Sequence, residues 1–371
     1  MGPLRYLSLS LLIFFCKIKI IIIWGLILAV VVEGEEKAAA AGAECEFPAV
    51  FNFGDSNSDT GGLSAAFGQA PPPNGETFFG APVGRYCDGR LVVDFIASGL
   101  GLPFLSAYLD SIGSNFSHGA NFATAGSSIR RSNTTLFQSG GFSPFSLDVQ
   151  SWQFSQFVTR SQVVSKRGGF YKDLFPTRTY IPDVLDKFAD VIKSVYYLGG
   201  RYFWIHNTGP FGCLPYVLVR VPRVAARKDR VGCGATFNEV AQLFNAKLKE
   251  TVAKLREELP LAVLTYVDVY SVKYELISRA NKYGFEHPLM ACCGHGGKYN
   301  YDDHMGCGSK TTVNNTEVLV GKSCDDPSER ICWDGIHYTE AANKFVFDQI
   351  AGGAYSDPPI PLRLACQKKE Q

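Results

Sequence analysis

Gly54-Asp55-Ser56-Asn57-Ser58-Asp59 directly follows the apolar run Ala49 to Phe53. A buried strand that breaks at Gly-Asp-Ser sets a serine hydroxyl at the carboxyl edge of a sheet, where open α/β folds bind their ligands. Near the other end of the chain, Cys332-Trp333-Asp334-Gly335-Ile336-His337 places an acid and a base three residues apart, just before a helical pattern. Serine, aspartate and histidine are the parts of a nucleophilic hydrolase. The neutral imidazole of His337 can take the proton of Ser56, and the carboxylate of Asp334 can hold the imidazole tautomer and stabilise the imidazolium that forms. Alone, an Asp-x-x-His pair is more often a helix cap or a surface pair; it is the combination, each piece beside a strand end or helix start, that points to catalysis.

Between these two stretches, strand and helix patterns alternate. Leu91 to Ala97 reads as a helix continuing toward Leu100, and Tyr180 to Tyr197 is amphipathic with Pro182 in its first turn. Asn238 to Glu258 reads as a long helix stopping before Pro260, Val269 to Asn281 as another, and the last helix begins near Thr339. Tyr202 to Ile205 and Ala262 to Val267 read as strands. The alternation predicts one α/β domain built on a doubly wound, mostly parallel sheet. The rhythm breaks once. Trp152 to Leu174, with Trp152, Phe157 and Val164 among its apolar positions, has mixed helical character. Only Phe175-Pro176-Thr177-Arg178-Thr179 separates it from the next helix, where a strand belongs.

The oxyanion of an acyl-transfer intermediate needs preorganised donors. The backbone N–H of Ser56, at a predicted helix start, is one candidate. Gly126, within the small-residue run Gly119 to Ser128 where a backbone can approach a ligand closely, is the other. His206 and Asn207 are candidates for a third donor, although a strand-end His-Asn-Thr-Gly is more often a structural turn.

With 36 Lys and Arg against 35 Asp and Glu, the formal net charge is +1, and no dense basic run offers a footprint for nucleic acid. The N-terminus carries apolar runs at Leu7 to Cys16 and Ile20 to Val32, separated by Lys17 and Lys19. The second run, with positive charge before it and small residues after it, has the layout of a secretory leader and is short for a membrane span. Cleavage after Gly34 or Ala43 assigns residues 1–43 to the leader and 44–371 to a single domain that keeps no stable membrane span. An uncleaved anchor is the alternative, and it strands two lysines in the bilayer. Ten of the 11 cysteines then lie in the mature chain, where disulfides are expected, with the vicinal Cys292 and Cys293 pairing to different partners. The alternative is zinc bound among Cys292, Cys293, Cys307, Cys324, Cys332, His295 and His304, but the spacing matches no paired CxxC pattern. Sequons at Asn115, Asn133 and Asn314 agree with export.

From about Phe47 to Cys366 the chain resembles the GDSL esterase/lipase family of SGNH hydrolases, in its secreted plant branch. Phe53 to Gly61 is similar to the first family block, Asn121 to Gly126 to the second, and Asp334 to His337 to the last. Gly84-Arg85-Tyr86 to Arg90, Phe203 to Pro215 and Ala291-Cys292-Cys293-Gly294 are similar to stretches of the plant branch. The resemblance implies a flavodoxin-like three-layer α/β/α sandwich, Ser56 as nucleophile, His337 as base, Asp334 as its orienter and Gly126 as an oxyanion donor. It implies hydrolysis of carboxylic esters, of acetylated sugars, secondary metabolites or lipids, by a secreted extracellular or cell-wall protein without metal or cofactor. The chain departs from the family at its third block, a central strand ending in Gly-x-Asn-Asp that supplies an oxyanion asparagine, which is absent between Leu174 and Tyr180. A mis-joined coding sequence, a splice form and a degenerate member are the three origins, and the surviving Ser56, Asp334 and His337 favour a join that omits an internal segment. A catalytically silent scaffold with a cell-wall or glycan-binding role is the rival to an esterase acting on small-molecule esters.

Overall fold

Alternating side chains on a few short strands build two hydrophobic layers, one on each face of a single sheet. The computed structural model describes residues 17–23, 27–33, 44–131, 143–165 and 180–367. In chain order its elements are β1 (Lys17–Ile23), β2 (Ile27–Glu33), β3 (Ala49–Phe53), α1 (Gly62–Phe67), α2 (Val92–Gly99), β4 (Gly119–Asn121), α3 (Leu147–Ser165), α4 (Tyr180–Tyr197), β5 (Tyr202–His206) and α5 (Pro215–Arg220). They continue with α6 (Ala235–Glu258), β6 (Val263–Val267), α7 (Val269–Ser278), β7 (Lys310–Val313), β8 (Thr316–Leu319), α8 (Glu340–Ala351) and β9 (Ser356–Asp357).

Ala49, Phe51 and Phe53 of β3, Phe203 and Ile205 of β5, and Leu264 and Tyr266 of β6 share one core with α3, α4 and α6. Val50 and Trp204, the residues between them, and Val267, which follows Tyr266, share the opposite core with α2, α7 and α8. This is the period of two that a strand imposes, and it yields the three-layer α/β/α sandwich. The strand order is β4-β3-β1-β2-β5-β6-β9. β4 pairs parallel with β3 and β5 with β6, whereas β2 runs antiparallel to β1 and β5, and β9 antiparallel to β6. The sheet is therefore mixed: β2 and β9 oppose the other strands.

The central position has an unexpected occupant. Helix α3 is followed in the described residues by α4 with no strand between, and the join at 175–179 lies outside them. The hairpin β1–β2 lies between β3 and β5, with Ile20 opposite Phe51 and Ala29 opposite Trp204. Two strands with open edges in the middle of a sheet leave rows of N–H and C=O groups to satisfy, and an apolar segment of the same chain is the available partner. In the full-length chain, two strands thus fall inside the segment expected to be a leader.

Four disulfides form: Cys45–Cys366, Cys213–Cys233, Cys292–Cys324 and Cys293–Cys307. The vicinal cysteines do pair with different partners, and these bonds consume the thiols that a zinc site would need. Cys87 and Cys332 are buried free thiols, so the mature cysteines are not all paired. Among the described residues no helix is long and apolar enough to cross a membrane.

Removing residues 1–43 alone reopens the middle of the sheet. Such a chain is expected to accumulate in insoluble form or to lose its cooperative thermal transition by circular dichroism. Inserting a Gly-x-Asn-Asp strand segment between Thr179 and Tyr180 is expected to restore both solubility and cooperativity.

Candidate active site

The turn after β3 is built by its own side chains. Ser58 N–H donates to the Asp55 carbonyl at 3.0 Å, which leaves Ser56 and Asn57 as the central residues of a tight turn at the sheet's carboxyl edge. The Asp55 carboxylate accepts from the Asn57 N–H at 2.9 Å and from its side-chain amide at 3.3 Å. Helix α1 starts at Gly62, so Ser56 sits on the turn rather than at the helix start expected from the sequence. Asp59, fully buried, accepts the N–H groups of Gly61 at 2.8 Å, Gly62 at 2.5 Å and Leu63 at 3.0 Å. It also accepts Ala125 N–H at 2.7 Å, which holds the second small-residue segment against the first.

Asn121, the last residue of β4, reinforces that junction. Its amide donates to the Ser58 carbonyl at 2.6 Å and to Thr60 Oγ1 at 2.9 Å, while its oxygen accepts from Asn52 Nδ2 at 2.8 Å and Ala123 N–H at 2.9 Å. Gly126 follows with φ of 73°, the left-handed region that glycine occupies without strain, and its carbonyl accepts from Ser143 N–H at 2.8 Å. Gln150, buried on α3, clamps the peptide before Asp55: its oxygen accepts Gly54 N–H at 2.9 Å and its amide donates to the Gly54 carbonyl at 2.7 Å. Gln150 was not singled out from the sequence, whereas Trp152, counted there among the apolar positions of its stretch, is 55% exposed.

The base arrives on an irregular loop. Cys292 and Cys293 donate their N–H groups to the carbonyls of Cys332 and Trp333 at 2.9 and 2.6 Å, and Trp333 Nε1 donates to Asn74 Oδ1 at 2.9 Å. Gly335 takes φ of 100°, and a Cβ there would meet the Tyr301 ring at 2.2 Å, so only glycine passes that point. The loop then closes with His337 Nδ1 at 2.6 Å from Asp334 Oδ2, while Asp334 Oδ1 accepts the N–H groups of Ile336 and His337 at 3.0 and 2.9 Å. With Nδ1 held by a carboxylate, Nε2 is the nitrogen left to accept a proton, and it has no hydrogen-bond partner among the described residues. The Tyr86 ring lies 5.6 Å from the His337 ring. Its neighbour Arg85 is anchored bidentately to the buried Asp94 at 2.9 and 2.7 Å, which fixes this wall of the site.

The electrostatics separate the groups. Burial pushes the Asp334 carboxyl up, but the His337 charge, the hydrogen bond to its ring and the two backbone N–H groups outweigh it and leave the carboxyl below its usual value. For His337, burial favours the neutral ring, yet Asp334 and then Asp55 reverse this and hold the imidazole above its usual value of 6.5. Burial raises Asp55 to about 7 against its bonds to Asn57, and lowers Lys273 to about 8 against the pull of Asp55.

The Ser56 turn and the Gly126 segment are joined through Asp59, and the charge of Asp55, beside Ser56, reaches His337. Asn207 does not join them. Its amide donates to Tyr266 Oη at 2.9 Å and Asp268 Oδ1 at 2.8 Å, and its oxygen accepts Tyr270 N–H at 2.9 Å, so every polar atom is committed to joining β5 to α7. His206 is buried against Trp204 with its ring held neutral by burial and by Lys273. Asn115 is exposed, and Asn314 is exposed at the two-residue turn between β7 and β8, where Asn314 and Asn315 take φ of 50° and 61°. Asn133 lies outside the described residues.

Residues 50–350 match the family of GDSL-like lipases and acylhydrolases. The chain is 60% identical over 366 positions to "GDSL esterase/lipase ACHE" of Zea mays, covering 90% of this chain and 92% of the relative. It is 56% identical over 357 positions to "Alpha-L-fucosidase 3" of Arabidopsis thaliana (88% and 94% covered) and 52% identical over 363 positions to "Esterase" of Hevea brasiliensis (90% and 92% covered). Ninety per cent of 371 residues is about 334, so the 366 positions shared with the maize protein include about 30 with no residue in this chain.

A base that must be neutral to accept a proton gives an activity that rises with pH. Because Asp334 holds the His337 pKa up, the acidic limb of kcat/KM is expected to have its midpoint above 6.5. Asp334→Asn is expected to lower kcat about 10⁴-fold and to move that midpoint below 6.5, since burial, the largest effect on the ring, and the Lys273 charge then outweigh Asp55; a pH–rate profile of both proteins reads the sign.

Proposed function

The chain belongs to the GDSL-like lipase/acylhydrolase family, and we propose that it is a secreted serine esterase that cleaves small carboxylic esters through an acyl-enzyme. The observation that carries this reading is the 2.6 Å contact of Asp334 with His337 Nδ1, which leaves Nε2 as the acceptor at the edge where β3 ends in the Ser56 turn. Ser56 Oγ attacks the ester carbonyl carbon as its proton passes to His337 Nε2. The C–O bond to the alcohol then breaks and the alcohol leaves with that proton. Water, deprotonated by the same nitrogen, attacks the acyl-serine, and the acid departs as Ser56 regains its proton.

The N–H groups of Ser56 and Gly126 serve the oxyanion. Loss of one donor from such a hole typically lowers turnover about 10²- to 10³-fold, and the segment absent after α3 is where a third donor belongs. Turnover is therefore slow in this form. The about 30 positions without a counterpart here also favour a second reading, a silent scaffold with a glycan-binding role. Four disulfides, the exposed sequons Asn115 and Asn314, and the apolar N-terminal runs support passage through a secretory pathway, with β1 and β2 kept in the folded chain. A glycosidase, as one relative's name states for that protein, works with two carboxylates flanking the scissile bond. Asp334 is engaged by His337 and Asp55 by Asn57, which is the arrangement of an acyl-transfer site instead.

Fluorophosphonate labelling tests the reading. The folded, deglycosylated protein is expected to take up label at Ser56, and Ser56→Ala to abolish it. A folded protein that takes no label favours the silent scaffold.

A further inference from the structure

One strap of chain bridges the start of α1 and the start of α8, the helix that follows the base. It is Gly84-Arg85-Tyr86-Cys87-Asp88-Gly89-Arg90. At one end Gly84 packs on Gly61, so closely that a Cβ would come within 2.5 Å of the Gly61 Cα. At the other end the Asp88 carboxylate accepts the Glu340 N–H at 2.8 Å and the Thr77 hydroxyl at 2.7 Å. Arg90 donates its backbone N–H and its Nη2 to the Glu340 carboxylate, both at 2.7 Å. Tyr86 is therefore presented by a backbone pinned on both sides, between the buried Arg85 and Cys87. Its side chain reaches two elements. The hydroxyl is hydrogen-bonded to Ser64 of α1. The ring meets the imidazole of His337, with centroids 5.6 Å apart and planes tilted by 32°, within the range of aromatic pairs in contact.

We infer that Tyr86 is a positioning residue whose ring holds the imidazole of His337 in its contact with Asp334, so that Nε2 keeps its direction while the proton moves. The inference rests on the esterase reading for the step it serves. A single hydrogen bond at Nδ1 is a pivot, about which an imidazole is free to tilt; a second ring packed against it removes that freedom. Burial and then the charge of Asp59 raise the Tyr86 hydroxyl to about 12 against its bond to Ser64, so Tyr86 stays neutral where the base works. The charged groups that face His337 are Asp334 on its own loop, Asp55 on the turn after β3 and Lys273 on α7. A change at Tyr86 leaves all three in place and alters only how firmly the imidazole is kept against the first.

The test is a histidine NMR titration of the full chain, with the His337 signal assigned by its loss in His337→Gln. Tyr86→Leu keeps the space apolar, so burial still lowers the imidazole pKa while Asp334 raises it less. The His337 midpoint is expected to fall by about 0.5 or more, and kcat to drop about tenfold or more with KM within about twofold. Tyr86→Phe keeps the ring on a strap still held by Arg85 and Arg90, and is expected to restore the midpoint to within about 0.2 of the native protein. A midpoint unchanged in folded Tyr86→Leu overturns the inference, as does one that falls equally in Tyr86→Phe. Tyr86→Met is the second aliphatic variant, adaptable in its packing. Loss of the cooperative unfolding transition in both aliphatic variants also overturns the inference, because Tyr86 is then needed for the fold itself. The titration requires no turnover, so a chain that fails to hydrolyse 4-nitrophenyl acetate fails the esterase reading while the midpoint still decides the role of Tyr86.

Discussion

The carboxylate of Asp59 is the constraint on which the site depends. It is fully buried and accepts four backbone N–H groups, three from the start of α1 and one from Ala125, sixty-six residues further along. Burial pushes its pKa up and each N–H group pulls it back. Removing the carboxylate would orphan four buried donors at once, each costing about 1–3 kcal/mol if left unsatisfied. No neutral side chain can accept from four N–H groups in two segments. The turn bearing Ser56 and the segment bearing Gly126 are therefore held together through a single anion, and Asn121 and Gln150 refine the junction from β4 and α3.

The other half of the site is held differently. Asp334 and His337 lie on a loop without regular structure, and its position is set by the disulfide-bearing region around Cys292 and Cys293 through backbone bonds to Cys332 and Trp333. The Asp334–His337 contact is local, closed within three residues by the carboxylate's bonds to the two backbone N–H groups. The dyad's own geometry is thus preorganised by nearby sequence, whereas its placement against Ser56 is a tertiary product of α8, the disulfides and the Asn74 contact to Trp333. Reduction of the disulfides acts on that placement and leaves the pairing itself intact.

This division explains what was legible in the sequence. The Asp334–His337 contact and the break after β3 were readable because Asp334-x-x-His337 and Gly54-Asp55-Ser56 are local patterns with a chemical meaning, and the sandwich because strands of period two alternate with helices of period 3.6. The different partners of Cys292 and Cys293 were readable because adjacent cysteines seldom bond to each other. Gln150 and Lys273 were not readable, since one buried polar residue on an amphipathic helix looks like any solvated position until the strand it faces is known. Nor were the free thiols of Cys87 and Cys332, because an even count of cysteines says nothing about geometry. The apolar N-terminal runs were legible as apolar, but their pairing between β3 and β5 followed from a vacancy elsewhere in the sheet.

That vacancy separates two properties that usually fail together. The hydrogen bonds of Asn121, Gln150 and Asp59 link β3, β4, α3 and the turn before α1, with the Asp334–His337 contact closed within its own loop, and none of them passes through the middle of the sheet. What a strand between β3 and β5 provides is continuity: it joins the half carrying the Ser56 turn to the half carrying β5, β6 and Lys273. With the N-terminal hairpin in that position the two halves remain one sheet, and the edge bearing the turn keeps its geometry. The hairpin supplies the pairing on both sides, with β1 parallel to β3 and β2 antiparallel to β5. Continuity of the sheet is accordingly separable from the hydrogen bonds at its edge, and an apolar stretch from elsewhere in the chain can supply it.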